Sequence, residues 1–204
     1  MVQKEKPARG RPRQYDPEEA LANAMVLFWD QGYAATSLDD LSTATGMNRP
    51  SLYAAFGSKH DLYLRAFAHY MSSARDVMAN PLDPKRSLRE GLTRFYQGAL
   101  SLYLPTGKEP RGCFMIGTAV TESVGDPEIR SALRQALRLI ETALEARFAL
   151  AQKNGEIGKD ANPASRAKVA ASALYSIAIQ ARAGEPRRVL TAIADAAVET
   201  LCAS

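Results

Sequence analysis

TATGMNRPSLYAAF, residues 43–56, decides how this chain folds. A helical pattern stops at Gly46 and restarts at Asn48. Within about one and a half turns it then presents an arginine, a proline, a serine and a tyrosine. Ser37 to Thr45 predicts a short helix with Leu38 and Leu41 turned inward, opened by a Ser37-x-x-Asp40 capping box. Gly46 permits a turn that a β-carbon would hinder, Met47 follows as an apolar residue, and Asn48 caps a second short helix. Leu52 and Phe56, four apart, return that helix to the core. Two short helices about a glycine turn make a helix-turn-helix over residues 37–56. Its second helix leaves Arg49, Pro50, Ser51, Tyr53, Ala54 and Ala55 at or near the surface. Arginine reads guanine or phosphate, proline and alanine offer apolar contact to a thymine methyl, and hydroxyls donate to phosphate oxygens.

The rest of the chain repeats the same helical punctuation. Asp16-Pro17-Glu18-Glu19 sets an acid before a proline at the first helical position, with Glu19 spaced to close a box. Asp126-Pro127-Glu128 and Asn162-Pro163 repeat that opening, and Ser58-x-x-Asp61 and Ser87-x-x-Glu90 have capping-box spacing. Gly32, Gly57, Asn154-Gly155 and Gly184 supply stops. Between them apolar residues recur at three and four, as in Leu133, Leu137, Ile140 and Leu144, and nothing alternates with period two. The expected fold is all-α, with about nine helices. From residue 164 onward alanine is dense, which suits close helix-helix packing and also simply favours helix.

The 204 residues, 46% hydrophobic and 24% charged, suit a packed globule, and no apolar run reaches the length of about 20 residues that a membrane span needs. The N-terminus has no hydrophobic stretch behind its charges, so no signal peptide or membrane association is expected and the cytoplasm is the expected location. Lys4, Lys6, Arg9, Arg11 and Arg13 against Glu5 put a net charge on the first fourteen residues equal to the whole chain's +4. A basic arm on a neutral body suits either a polyanion partner or a solubilising tail. Cys113 and Cys202 lack metal-site spacing, and no metal or cofactor is expected. The two histidines, His60 and His69, stand in no hydrolase, metalloprotease or phosphate-loop context, so no catalytic residue is assigned and an enzyme is not expected.

Residues 36–62, TSLDDLSTATGMNRPSLYAAFGSKHDL, resemble the DNA-binding domain of TetR-type (TetR/AcrR) transcriptional regulators. Ser51-Leu52-Tyr53, Phe56 and Lys59 stand where that family has its Thr-Leu-Tyr-like triplet, its Phe and the Lys that opens the fourth helix. Phe28 and Gly32-Tyr33 match the end of its first helix. Ser42, where alanine is usual, and Ser51, where threonine is commoner, depart from the pattern. Behind the basic arm over 1–14 that the charges mark out, the resemblance implies a three-helix DNA-binding domain over 15–62 and a larger helical regulatory, ligand-binding and dimerisation domain over 63–204. It also implies that Asn48, Arg49, Pro50, Ser51 and Tyr53 face the major groove and its phosphates, with Lys59, Thr36 and Ser37 on phosphate. For Tyr53 a packing role, and for Thr36 a capping role, stand beside that reading. Arg9-Gly10-Arg11-Pro12-Arg13 is similar to an AT-hook core, so Arg11 and Arg13 are expected in the minor groove.

For the remaining two-thirds the resemblance implies a homodimer through 164–183 and 186–202, bound to a near-palindromic double-stranded operator and released by a small effector. Phe67, Tyr70, Met71, Phe95, Tyr96, Tyr103, Cys113, Phe114 and Met115 are the candidate lining of a mainly apolar pocket, although aromatic residues at helical spacing are more often core. The scarcity of charge on the inner faces points to a neutral or lipophilic effector. Gly112-Cys113 looks like the opening of the sixth helix in one subgroup of the family. Arg111 beside it offers a reactive thiol, and hence a redox or electrophile sensor, as an alternative to a small packing cysteine. A sequence-tolerant architectural DNA binder is a further alternative.

Overall fold

The computed structural model describes residues 16–107 and 109–203. Among them are nine α-helices and no strand: α1 Pro17–Gln31, α2 Leu38–Thr45, α3 Arg49–Phe56, α4 Lys59–Ala79, α5 Leu88–Tyr103, α6 Val120–Glu122, α7 Pro127–Lys153, α8 Pro163–Arg182 and α9 Arg187–Leu201. A 3-10 turn, Asn80–Leu82, follows α4, and a π-helical turn, Met115–Ala119, runs into α6. The Arg11 and Arg13 assignments lie outside the described residues.

Local chemistry sets most helix starts. At α2 the Ser37 hydroxyl accepts from the Asp40 amide at 3.1 Å while the Asp40 carboxylate accepts from the Ser37 amide at 2.9 Å. Ser58 and Asp61 close the same reciprocal box on α4. Both carboxyls are held below the ordinary carboxylate range by these serine hydrogen bonds. At α1 Asp16 accepts from the Glu18 amide at 2.8 Å, without the reciprocal Glu19 contact of a box. Glu90 likewise leaves Ser87 to cap α5 alone and turns to Arg94 at 3.0 Å. Gly46, at φ 66° and ψ 15°, makes the left-handed bend between α2 and α3.

Helices α1 to α3 form one small cluster, and α4 leaves it to run along α5 and α7. α8 packs against α5, α7 and α9. Ala167, Ala170, Ala171, Ala178 and Ala181 of α8 are buried within this single chain. The alanine density therefore serves intrachain packing as well as any interface: small side chains let α8 lie close enough for the Tyr96 hydroxyl on α5 to donate to the Ala170 carbonyl at 3.0 Å. Val169 and Ile179 stand outside, exposed on the same helix. Arg147 is a buried charge that the periodicity does not reveal. Its Nη2 donates to the Arg86 carbonyl at 2.8 Å and meets Glu156 at 3.2 Å, and Glu156 in turn accepts from the Leu88 amide, tying α7 to the start of α5.

Ser42, the departure from alanine, has a hydroxyl oxygen shut from solvent with no partner. Ser42→Ala is expected to stabilise the fold by about 1 kcal/mol, because it removes an unsatisfied polar group without opening a cavity. An increase in the urea midpoint at unchanged slope would register it; a lower midpoint would mean that the hydroxyl has a partner in solution.

Candidate nucleic-acid interface and its coupling to the helical core

The face of α3 away from Leu52 and Phe56 carries Arg49 and Pro50, both exposed, and Tyr53, whose 49% exposure leaves it half in solvent. Ser51 is half-buried. Asn48 is exposed, with its Oδ1 committed as the cap that accepts from the Ser51 amide at 2.9 Å. Arg49 reaches back to α2: its Nε donates to Asp39 Oδ1 at 3.0 Å and its Nη2 lies 2.7 Å from Oδ2. Lys59, at the start of α4, sets its ammonium 4.5 Å from the centre of the Tyr33 ring, and partial burial pulls its pKa down. The Ser37 hydroxyl donates to Asp40 at 2.6 Å. Thr36 differs from expectation. It is 1% exposed and its hydroxyl donates to the Gly32 carbonyl at 2.6 Å, so its side chain fastens the α1–α2 turn instead of being offered to a phosphate. Arg65 was not anticipated: it donates to the Ala55 carbonyl at 3.2 Å and leans on the Phe56 ring, joining the end of α3 to α4.

Behind this face the start of α4 and the end of α1 are tied to the rest of the helical body at three places. His60 Nε2 lies 2.8 Å from Asp126 Oδ2, while Asp126 Oδ1 caps α7 through the Glu128 and Ile129 amides. The Tyr63 hydroxyl shares a 2.7 Å hydrogen bond with Thr118 of the π turn, and desolvation pushes its pKa up to about 12. At the third, the end of α1 meets residue 111. The Trp29 indole donates to the Arg111 carbonyl at 3.2 Å, Arg111 Nε pairs with Asp30 at 2.9 Å, and Arg182 of α8 donates to the Trp29 and Arg111 carbonyls. Gly112 closes this seam at φ 64°, where an added methyl would sit 2.5 Å from the Ala178 carbonyl oxygen.

The nine candidate pocket residues divide. Phe67, Met71 and Phe95 line an open groove between α4 and α7, made of two hollows of about 550 and 370 Å³ that share Met71 and Leu139. Its wider end carries Glu128, Ser131 and Gln135; the narrower is apolar apart from Arg75 and Thr142. Tyr70, Tyr96, Tyr103, Cys113, Phe114 and Met115 do not line it and are buried instead. Phe114 touches the rings of Trp29, Tyr63, Phe67 and Tyr70, so these aromatics fill the space that a pocket there would need. The reactive-thiol expectation meets the same packing. Arg111 is turned to Asp30, the Tyr70 hydroxyl donates to Cys113 Sγ at 3.2 Å, and burial raises the thiol pKa. Gly112-Cys113 stands at the opening of this helical segment, where the Cys113 carbonyl accepts from the Gly117 amide at 2.8 Å.

Comparisons with known proteins agree with this geometry. The profile of bacterial regulatory proteins of the tetR family matches residues 20–66, and that of the tetracyclin repressor-like C-terminal domain matches residues 90–197. The HTH-type transcriptional repressor ComR of Escherichia coli (strain K12) is 32% identical over 191 residues, covering 93% of this chain and 90% of that protein. The repressor BdcR of the same organism is 34% identical over 146 residues, 71% of each. Among solved structures, a cysteine mutant of the TetR family transcriptional regulator CifR, complexed with 26bp double-strand operator DNA, superposes with a TM-score of 0.84. Its sequence is 32% identical, and the match covers 93% of this chain and 98% of that one.

Proposed function

Because this chain belongs to the TetR family of bacterial regulatory proteins, and is thus a transcriptional regulator and not an enzyme, we propose that it is a homodimeric repressor released from its operator by a small, mainly apolar effector. The observation that carries the DNA reading is the exposed edge of α3, Arg49-Pro50-x-x-Tyr53, set by its own cap and by buried Leu52 and Phe56. Arg49, Pro50, Ser51 and Tyr53 read the major groove; Ser37 and Lys59 hold phosphate, Lys59 from the positive end of α4. Residues 15–62 are the DNA-binding unit, 63–204 the regulatory one, and the arm over 1–14 enters the flanking minor groove. Two copies joined through α8 and α9 place their α3 helices on half-sites about 34 Å apart. The names of ComR and BdcR favour repression, and the operator complex of CifR favours this mode of docking.

The effector lies in the groove between α4 and α7. A molecule there that prefers a wider α4–α7 spacing loosens His60–Asp126 and Tyr63–Thr118 and moves α4, and with it α3, which Arg65 joins to α4 through the Ala55 carbonyl and the Phe56 ring. It must bind the released conformation more tightly, since equal affinity for both shifts nothing. The burial of Cys113 gives this reading preference over thiol sensing.

Selection of bound sites from random DNA tests the assignment. A repressor should yield a near-palindrome held roughly 10³-fold or more tighter than random sequence, whereas a ratio near one would identify an architectural binder. On that operator Arg49→Ala should lose about 1–3 kcal/mol and relax one base preference. Lys59→Ala should weaken every sequence alike and flatten the salt dependence by about one unit. If both variants act equally on operator and random DNA, Arg49 is not a base reader.

A further inference from the structure

We propose that Asp39 is a positioning residue for base recognition: it clamps the Arg49 guanidinium from one side and presents its outer edge, already aimed, to a guanine. This rests on the reading of α3 as the DNA-contacting helix.

The pairing geometry carries the assignment. A guanidinium has five N–H donors in one plane. Asp39 takes the Nε hydrogen, at 3.0 Å, and meets Nη2 at 2.7 Å, so the contact is side-on. Three N–H groups stay free, and two of them, one on each Nη, lie along the Nη1–Nη2 edge. That edge is the fork that matches the O6 and N7 acceptors of guanine in the major groove. The two carboxylate contacts hold the long side chain in one rotamer before DNA arrives, which removes part of the ordering cost of binding.

The charge of Asp39 is otherwise hard to explain at such a place. Its side chain is 76% exposed on the second residue of α2, two positions from Ser37, and an acid there repels a phosphate backbone. It therefore weakens sequence-independent binding. It also competes with phosphates for Arg49, which would otherwise be a mobile cation satisfied by any sequence. The fold does not depend on the pair. Exposed ion pairs contribute little to stability, and α2 and α3 are capped separately by Ser37–Asp40 and by Asn48. Asp39 thus trades affinity for discrimination.

The test uses the full chain and an operator found by selection from random DNA, with circular dichroism confirming that each variant is folded. Wild type should favour guanine at one position of each half-site by roughly tenfold or more over the other bases. Asp39→Asn keeps the size and one acceptor but loses the charge. It should bring that ratio near one, tighten binding to random DNA, and steepen the salt dependence of random binding by about one unit as Arg49 turns to phosphate. Asp39→Glu keeps the charge at a different reach. It should hold random binding at the wild-type level yet blur the guanine preference. Retention of the guanine ratio in Asp39→Asn, or a Glu variant indistinguishable from wild type, overturns the clamp. If Arg49→Ala leaves a selected operator's base preferences intact, the clamp falls while the regulator reading stands. If wild type selects no site at all, the DNA-reading assignment falls first.

Discussion

Phe114→Ala is expected to lower the stability of the fold by about 3–5 kcal/mol, the range for deleting a well-packed aromatic ring from a closed core. The side chain is fully buried, and its ring centre lies 5.5 Å from that of Tyr70, 5.8 Å from Tyr63, 5.9 Å from Trp29 and 6.3 Å from Phe67. Those neighbours belong to α1 and α4, so one ring fills the space between the DNA-binding cluster and the larger body. None of them is a flexible aliphatic chain that could swing into the vacancy. Urea unfolding followed by circular dichroism, at one fixed protomer concentration because association adds to apparent stability, gives the measurement. A loss below about 1 kcal/mol would mean that the walls collapse onto the hole, contrary to the close packing described.

Gly112→Ala should come second, and its effect has two separable parts. A residue with a β-carbon at φ 64° sits in the left-handed region, which costs roughly 1–2 kcal/mol. The added methyl would also stand 2.5 Å from the Ala178 carbonyl oxygen and 3.0 Å from Arg182 Cβ, so α8 must retreat. Overpacking of that kind adds about 1–3 kcal/mol. Gly155→Ala separates the parts: Gly155 has φ 75° and open space around its missing side chain, so it should show the backbone part alone. Equal losses for the two variants would mean that the close approach of residue 112 to α8 has no energetic weight. Where the losses differ, the excess in Gly112→Ala should go with a weakened operator response to effector, since the same seam carries the Arg182 contacts to Trp29 and Arg111.

The helix-turn-helix was legible because its information is local. Ser37 with Asp40, Gly46, Asn48, and the four-residue spacing of Leu52 and Phe56 each act within a turn or two, and the structure keeps every one of them. Features that depend on which helix lies opposite were not legible. Thr36 reads as a surface threonine until the α1–α2 turn folds over it. Periodicity marks Tyr70, Tyr96, Tyr103 and Phe114 as inward, yet it cannot separate a packed interior from the wall of a groove, and only Phe67, Met71 and Phe95 of the candidates face space. Arg147 and Glu156 resemble solvated charges in a list of residues; the burial of Arg147 and its pairing with the half-buried Glu156 follow from the meeting of α7 with the start of α5. The Arg111 side chain was expected beside the Cys113 thiol, but its partner Asp30 is 81 positions away in sequence and no local rule brings them together.

Trp29 is the chain's sole tryptophan, and its place at the end of α1 makes the protein its own optical gauge. The indole is 7% exposed, bonded to the Arg111 carbonyl and edged against Tyr70 and Phe114. Any effector that shifts the first helix against the rest must change the polarity and the quenching groups around one chromophore. Emission from the unlabelled chain can therefore follow the release of the DNA-binding unit in real time, and it distinguishes a molecule that merely occupies the groove from one that moves the frame.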